Sequence, residues 1–157
     1  MTYRYKSPIG DLYITSDGNF LTRIDFFSSA SEISEDKDNV IGDTVRWLDV
    51  YFSHSVPDFT PRYKLCVSEF SQAVLNECAH IGYGEICTYG DIAKRVSSAL
   101  GKNPCARAVG GALNRNPIPI IIPCHRVIGF KRSPVGFAPG VDVKLGLLAH
   151  EGVFLKK

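Results

Sequence analysis

A short apolar run flanked by prolines is the feature that most constrains the fold of this chain. The run spans Ile118 to Ile122, with Pro117 before it and Pro123 after it. A run of this length and composition predicts a buried strand, since proline cannot continue a helix. A cysteine, a histidine and an arginine follow at 124–126 with no spacer. The sequence therefore predicts a buried strand that presents Cys124, and a thiol beside such neighbours calls for a chemical role.

The first third of the chain shows the periodicity of a small sheet followed by a helix. Apolar side chains nearly alternate along residues 3–26, which predicts two or three antiparallel strands. Turn signals occur at 7–10 and 16–19. Residues 28–39 are polar and acidic, which is typical of a loop. The apolar residues of Ile41 to Phe52 recur at helical spacing and predict an amphipathic helix.

A segment with two prolines, residues 53–63, is the predicted linker between two domains. We predict an N-terminal α/β domain over 1–62 and a second domain over 63–157, which carries Cys124. The helices predicted in the second domain are 68–80, 89–96, 104–113 and 142–150, with Ser68, Thr88, Asn103 and Asp142 as their caps. The fold class is then α+β: an antiparallel sheet with a helix, followed by a mostly helical domain with a helix-turn-helix and a short buried strand carrying the cysteine.

The helices predicted at 89–96 and 104–113 have the proportions of a helix-turn-helix, although the turn is long. The second helix is unusually rich in small residues, including Ala106, Ala108 and Gly110. A flat helix of this kind suits close approach to the minor groove of DNA. It also suits tight packing inside the protein, and composition alone favours that second interpretation.

Charge is divided unevenly between the two halves of the chain. Residues 1–60 carry five Lys/Arg against ten Asp/Glu, a balance of −5, and residues 61–157 carry thirteen against six, a balance of +7. A basic half is a modest signal for an anionic partner, and a solvated basic face explains it equally well.

Cysteine usage argues against two classes of small protein. The five cysteines are odd in number, contain no CxxC pair and have no histidines at ligand spacing. We therefore expect neither a disulfide framework nor a structural metal site.

The chain has neither a signal-peptide pattern nor an apolar run long enough to cross a bilayer, so we expect a soluble intracellular protein.

Several segments resemble the O6-alkylguanine-DNA alkyltransferases, in the order in which that family carries them. The most specific is "IPIIIPCHRVIG"; the others are "GEICTYGDIA", "ARAVGGALNRNP" and "LLAHEG", and "SPIGDLYI" resembles the family's variable first domain. The resemblance covers nearly the whole chain and is strongest from Phe70 to Gly152. It implies a single-turnover methylated-DNA–protein-cysteine S-methyltransferase for DNA repair. It also implies that residues 1–62 form the variable, supporting domain and residues 63–157 the catalytic and DNA-binding domain. Such a protein moves the alkyl group of O6-alkylguanine, and less well of O4-alkylthymine, from duplex DNA to its own cysteine.

The resemblance also implies a set of catalytic residues. Cys124 attacks the alkyl carbon and keeps the alkyl group on its sulfur. His125 takes the thiol proton through a water molecule, and Glu151 holds His125. Asn116 ties the strand to the recognition helix. No metal or other cofactor is implied.

A second set of residues is implied for binding DNA in the minor groove and for rotating the damaged nucleotide out of the duplex. Tyr89 crowds the 3′ phosphate and Arg107 fills the vacated place in the stack. The residues expected to face DNA also include Ala106, Ala108 and Gly110. The expected substrate pocket is formed by Tyr89, Val127, Phe137, Ala138 and Pro139.

Two departures from the family pattern concern the surroundings of the pocket. The loop at 135–140 has Ala138 and Pro139 where relatives have a hydroxyl residue and a glycine, and the turn at 129–134 is more basic than usual. These departures bear on substrate range.

The expected partner is double-stranded DNA containing O6-alkylguanine. We expect the protein to be a monomer in the cytoplasm, or in the nucleus of a eukaryotic host. The alternatives are a DNA-binding alkylation sensor, an alkyltransferase-like lesion binder without transfer, and a cysteine hydrolase.

Overall fold

The computed structural model describes residues 1–28, 30–134 and 137–156. The chain divides into two compact units, Met1–Leu65 and Cys66–Lys157. We call them the first unit and the second unit, and describe each by itself.

The first unit contains a three-stranded antiparallel sheet, which confirms the sheet predicted from the alternating apolar residues. Its strands, in both chain order and sheet order, are β1 (Thr2–Ser7), β2 (Gly10–Ser16) and β3 (Leu21–Asp25). The turn between β2 and β3 is closed by the Asp17 carboxylate, which accepts the amides of Asn19 and Phe20 at 2.9 and 2.8 Å. Aspartate favours such turns because its short side chain bonds the backbone two residues further on.

One helix, α1 (Asn39–Phe52), packs on this sheet. It begins two residues before its predicted start because the Asp38 side chain caps it, accepting the Ile41 amide at 2.8 Å. The buried core of the unit comes from alternate residues of the strands and one stripe of the helix. It includes Leu12, Ile14, Leu21, Ile24, Ile41, Leu48 and Tyr51.

The second unit contains the four predicted helices. They are α2 (Glu69–Cys78), α3 (Tyr89–Leu100), α4 (Ala106–Asn114) and α5 (Val141–His150). Ser68 and Thr88 cap α2 and α3 as predicted; Thr88 exchanges side-chain and backbone bonds with Asp91, both at 3.0 Å. Helix α3 continues past the predicted end to Leu100, where Gly101 adopts a left-handed φ of 66° and ends it.

The predicted start of α4 is wrong. The sequence predicts Asn103 as the cap of a helix beginning at Pro104, but the helix begins at Ala106 and Cys105 precedes it in an extended conformation. The Cys105 sulfur accepts the amide of Ala108 at 3.4 Å. The Asn103 side chain instead accepts the Ser97 hydroxyl at 2.6 Å, across the turn from α3.

The predicted cap of α5 is also wrong. Asp142 lies inside the first turn of the helix, and Gly140, with a φ of 113°, precedes it without any side-chain cap. An acid in the first turn still interacts favourably with the helix dipole. Gly152, in a left-handed conformation, follows the helix end as expected. Among the residues described, no helix combines the length and the apolar character needed to cross a bilayer.

The strand predicted at Ile118 to Ile122 is wrong, although the segment is buried as expected. The Ile122 amide donates to the Ile118 carbonyl at 3.0 Å, and Ile120 has a φ of 74°, so the segment is a tight turn. Pro119, inside the run, explains this because proline cannot donate a bond to a sheet ladder. Cys124 therefore begins a 3₁₀ turn, Cys124–Arg126, and not a strand.

The unit nevertheless contains a short parallel strand pair. Strand β4 (Cys87–Thr88) pairs with β5 (Val127–Ile128), with Thr88 opposite Ile128. Because α3 starts directly after β4, this pair fixes the start of that helix beside the segment that follows Cys124.

Candidate active site and nucleic-acid interface

Cys124 is held by the turn before it and by Asn116. The Asn116 side chain donates to the Ile122 carbonyl at 2.9 Å and accepts the Ile118 amide at 3.0 Å. Because Asn116 lies two residues beyond α4, it joins the end of that helix to the turn. The Cys124 amide donates to Ile122 at 2.8 Å, and the residue is 6% exposed.

The Cys124 thiol lies among opposing influences. Burial raises its pKa above the ordinary value because a thiolate loses hydration in the interior. A hydrogen bond from Asn116, the charge of Lys144 and the backbone amides of Cys124 and His125 all act to lower the pKa. Burial outweighs them, so the resting thiol is protonated and needs a base to react.

Glu151 is the centre of a buried hydrogen-bond network. Its Oε2 accepts His125 Nε2 at 2.6 Å and Arg126 Nη2 at 3.1 Å. Its Oε1 accepts Arg126 Nε at 2.7 Å and the Gly84 amide at 3.0 Å. Arg126 is further fixed by donating Nη1 to the Ile81 carbonyl at 2.6 Å. Four donors thus hold the carboxylate in one orientation.

The environment keeps Glu151 ionised. Burial alone would raise the pKa of its carboxyl, but hydrogen bonds and charge from His125 and Arg126 outweigh that effect and lower the pKa to about 2. A buried carboxylate that is paired with the Arg126 guanidinium and has satisfied oxygens is stable in this form.

This carboxylate determines the tautomer of His125. An ionised Glu151 only accepts hydrogen bonds, so Nε2 of His125 carries the proton and Nδ1 carries the lone pair. Burial lowers the pKa of His125, although Glu151 acts to raise it, so the ring is neutral at rest. Nδ1 is buried and has no hydrogen-bond partner within the described part of the chain. The ring therefore presents a basic atom that is able to accept a proton.

Lys144 is a functional candidate that the sequence interpretation missed. It is fully buried in α5, donates to the Val127 carbonyl, and lies 3.5 Å from the Tyr89 hydroxyl. Burial lowers its pKa to about 8, while the thiols of Cys124 and Cys78 act to raise it. A lysine in the same helical stripe as the buried leucines of α5 was the available signal, because a buried lysine needs partners.

Tyr89 and the small residues of α4 form a shallow groove. The groove has a volume of about 480 Å³ and is lined by Tyr89, Ala106, Arg107, Gly110, Gly111 and Asn114. A Cβ at Gly110 would lie 3.8 Å from the Tyr89 ring, so the ring packs closely against the helix. Burial, and then the nearby Cys124, raise the pKa of Tyr89 to about 12, which keeps its hydroxyl protonated.

The interpretation of α4 as a helix packed inside the protein is wrong. Val109, Ala112 and Leu113 are buried, whereas Ala106, Arg107 and Ala108 are exposed. One stripe of the helix thus faces the core and the opposite, small-residue face lies at the surface. The flat, small-residue face of α4 is therefore part of the protein surface and is not a packing interface.

The predicted pocket residues lie in different environments. Val127 is buried beside the cysteine turn, and Phe137 is buried with its ring centroid 6.0 Å from the Lys144 amine. Ala138 is exposed and Pro139 is half-buried, in a turn closed by the Gly140 amide and the Phe137 carbonyl at 3.0 Å. The first two residues of the predicted loop, 135 and 136, lie outside the described residues.

The structure brings together most of the predicted catalytic residues. Asn116 contacts the turn before Cys124, and Glu151 bonds His125 directly. Tyr89 is linked to this group through Lys144, while Arg107 lines the same groove as Tyr89 from the exposed face of α4. Arg126, which fixes Glu151, was not predicted, although its place directly after Cys124 and His125 was a signal.

Comparison with known proteins identifies relatives over nearly the whole chain. A family profile described as "6-O-methylguanine DNA methyltransferase, DNA binding domain" matches residues 69–153. A second, described as "6-O-methylguanine DNA methyltransferase, ribonuclease-like domain", matches residues 2–62.

Individual relatives agree with the two profiles. The methylated-DNA–protein-cysteine methyltransferase of Methanosarcina acetivorans is 37% identical over 153 residues, covering 94% of this chain and 96% of the relative. That of Mycobacterium leprae is 39% identical over 149 residues, covering 92% and 88%. Among solved structures, Mycobacterium tuberculosis OGT in complex with DNA superposes with a TM-score of 0.83 at 34% identity, covering 96% of this chain and 91% of that one.

Proposed function

This chain belongs to the 6-O-methylguanine DNA methyltransferase family, and from that premise we propose that it transfers an alkyl group from O6 of guanine in duplex DNA to the sulfur of Cys124, once per molecule. The enzyme is a methylated-DNA–protein-cysteine S-methyltransferase that acts in DNA repair. The assignment of individual residues is carried by one observation. A buried thiol precedes a neutral histidine whose tautomer is fixed by an ionised glutamate.

Proton transfer comes first. The Cys124 thiol gives its proton to Nδ1 of His125 through a water molecule. The resulting imidazolium is stabilised by the Glu151 carboxylate, whose distance to Nε2 is 2.6 Å. The thiolate is stabilised by Asn116 and by the Lys144 charge, which both act to lower the pKa of the thiol.

Alkyl transfer follows as a direct displacement. The sulfur forms a bond to the alkyl carbon while the bond from that carbon to O6 breaks, and its electron pair stays on the base. The base leaves as a guanine anion and regains a proton, which the His125 imidazolium supplies. The product is a thioether on Cys124 and an unmodified guanine. Because a thioether has no acidic proton and is a poor leaving group, the molecule does not act again.

Lys144 and Tyr89 position the target base in this proposal. The phenol of Tyr89 stays protonated because its pKa is raised to about 12, so it is available as a hydrogen-bond donor to the base. Lys144 holds that phenol from within α5 and also bonds the Val127 carbonyl beside the cysteine turn. The two residues thus connect the groove along α4 with the nucleophile.

The surface of α4 supports binding in the minor groove and rotation of the nucleotide. Ala106, Ala108 and Gly110 allow the helix to approach a narrow groove closely. Arg107 extends from this flat face and is exposed, so it is able to take the place of a rotated base. O4-alkylthymine offers the same alkyl–oxygen bond and is proposed as a poorer substrate.

The experiment that tests the proposal is incubation with duplex DNA containing O6-methylguanine, followed by mass analysis of the protein. We expect the mass of one methyl group per chain, located on Cys124 by peptide mapping. Cys124→Ser should gain none and should still bind the duplex, since α4 is unchanged. The exposed thiol of Cys105 serves as an internal control. Methyl found on Cys105, or transfer that persists in Cys124→Ser, would show that the assignment is wrong.

The sensor and lesion-binder alternatives predict a different result in the same experiment. A lesion binder would hold the modified duplex without gaining mass. A sensor would gain mass and then change its affinity for one particular unmodified sequence. Of the three hypotheses, only the repair enzyme predicts alkyl transfer together with little preference among unmodified sequences.

A further inference from the structure

A closed turn after β5 exposes an aromatic ring to solvent. We call residues 129–133 the Phe130 turn. The Gly129 amide donates to the Ser133 carbonyl at 2.6 Å, and the Ser133 amide donates to the Phe130 carbonyl at 3.4 Å. The Phe130 side chain is 83% exposed, more than any other large apolar side chain of the described residues. This ring therefore adds little to the stability of the folded unit.

The backbone of the Phe130 turn is strained at two consecutive residues. Lys131 has a φ of 57° and Arg132 a φ of 62°, both in the left-handed region that residues with a Cβ rarely adopt. Such conformations persist where the surrounding structure enforces them, and they concentrate at sites that bind ligands. Lys131 and Arg132 thus form the tip of a turn that the hydrogen bonds of Gly129 and Ser133 close.

The sequence around the turn carries charge of one sign. Between Cys124 and Val141 the sequence has no aspartate or glutamate. Arg126 is paired with Glu151, whereas Lys131 and Arg132 are exposed. The Lys131 amine lies 5.9 Å from the centroid of the Phe130 ring. An aromatic ring with cations beside it suits a nucleic acid, whose bases stack and whose phosphates are anionic.

The position of the turn connects it with the proposed DNA surface. Ile128 pairs with Thr88, and Tyr89 follows Thr88 as the first residue of α3. Phe130 is two residues beyond Ile128, so its Cα lies within about 8 Å of that strand residue, given 3.8 Å per step. The turn therefore follows directly from the strand pair at which α3 and its first residue, Tyr89, begin.

We propose that the Phe130 turn is a second DNA contact, in which Lys131 and Arg132 neutralise phosphates and Phe130 packs against a nucleotide next to the rotated one. The inference rests on the proposed function for the identity of the partner. It adds a contact on the Tyr89 side of the site, separate from the flat face of α4. Charge complementarity and continuity with the Tyr89 end of α3 favour duplex DNA over a protein or a membrane as the occupant.

The decisive variant is Lys131→Asn with Arg132→Asn, because asparagine tolerates the left-handed conformation and removes the charge. The matched control is Arg4→Asn with Lys6→Asn, two exposed cations of β1. Binding of an unmodified duplex is measured over a range of salt concentrations. We expect the turn variant to reduce the slope of log affinity against log salt by about 0.9 for each phosphate that is no longer neutralised, or roughly 1.8 in all. The control should leave the slope unchanged.

A second pair of variants tests the ring. Phe130→Ala should weaken duplex binding by roughly fivefold or more without changing the salt slope, since the stacking of one base is removed. Phe27→Ala is the matched control, because Phe27 is 79% exposed and belongs to the first unit. Reaction with free O6-benzylguanine should proceed at the same rate in all four variants, which shows that the active site is intact.

Several outcomes would overturn the inference. An unchanged salt slope in the asparagine variant would do so, as would equal effects of the turn variants and their controls. Weaker binding to anionic lipid vesicles, with duplex binding intact, would assign the turn to a membrane surface. Wild-type protein that binds the duplex through the turn but transfers no methyl group would contradict the proposed function alone.

Discussion

The two units use charge in opposite ways. In the first unit, Arg23 pairs with Asp25 at 2.7 Å on the surface, with side-chain exposures of 58% and 27%. In the second unit, Arg126 and His125 pair with a Glu151 side chain that has no exposure. All the buried acidic and basic residues among those described belong to the second unit: His125, Arg126, Lys144 and Glu151. The first unit is thus built from an ordinary apolar core, and the second buries charge at a cost in stability.

This difference has a physical interpretation. A surface ion pair contributes little, because water screens it and long side chains lose freedom. A buried pair contributes no more than a well-packed apolar substitute, but it holds its members in fixed orientations and protonation states. The second unit therefore has lower stability but holds a histidine with a defined basic atom directly after Cys124, the proposed nucleophile.

Removing one buried charge should have the largest effect. Glu151→Gln leaves Arg126 buried without its counter-charge, so we expect the second unit to lose about 3–5 kcal/mol of unfolding free energy. Asp25→Asn, its surface counterpart, should cost at most about 1 kcal/mol. Amide hydrogen exchange in α5 and β3 measures the two units separately, and Trp47 fluorescence follows the first unit, because it is the single tryptophan. Similar losses from both substitutions would remove the distinction between the units.

Acid should destabilise the second unit before the first. The folded pKa of Glu151 is about 2 against an ordinary 4.5, so its contribution is complete above pH 4.5 and is lost as pH falls towards 2. The pKa of His125 is also lowered, and the unfolded chain therefore takes up a proton first as pH falls through 6.5. Both effects act in the same direction. Hydrogen exchange in α5 should accelerate below pH 6.5, and Glu151→Gln should flatten the portion below pH 4.5.

Arg107 tests whether the exposed face of α4 does more than attract phosphate. Arg107→Ala should slow repair in duplex DNA by about tenfold or more, because a stacked nucleotide costs a few kcal/mol to rotate out. Repair in single-stranded DNA should slow much less. Arg115→Ala removes an exposed charge directly after the same helix and serves as the control. Equal slowing on both substrates, or by both variants, would show that Arg107 acts only as a phosphate contact.

Pro139 should give the smallest effect. The ring lies half-buried in the turn that follows Phe137, and it offers an apolar surface to an aromatic alkyl group. Pro139→Gly should slow the reaction with free O6-benzylguanine by roughly two- to tenfold, the usual size of one aromatic contact. Methyl transfer from DNA should be unchanged. A faster reaction with the benzyl compound would show that the proline obstructs the pocket.

Much of this architecture is readable from local patterns. Alternating residues predicted the sheet, and helical spacing with the caps Ser68 and Thr88 predicted α2 and α3, because periodicity and capping act over a few residues. The same local logic failed at Ile118–Ile122, where the apolar composition predicted a strand and Pro119 prevented one. It also failed at Asn103, whose side chain bonds Ser97 instead of capping α4.

The sequence alone determined the fold class, the choice of Cys124 as the proposed nucleophile and, by resemblance, the family, because those depend on short periods and on the segment around Cys124. Only the tertiary structure decided which groups surround the thiol. Glu151 meets residues 25 to 67 positions away in the chain, and Lys144 reaches Tyr89 across 55 positions. The tertiary structure also decided that the small-residue face of α4 is exposed. Such partners set protonation states through burial and distance, and neither quantity is present in a local pattern of residues.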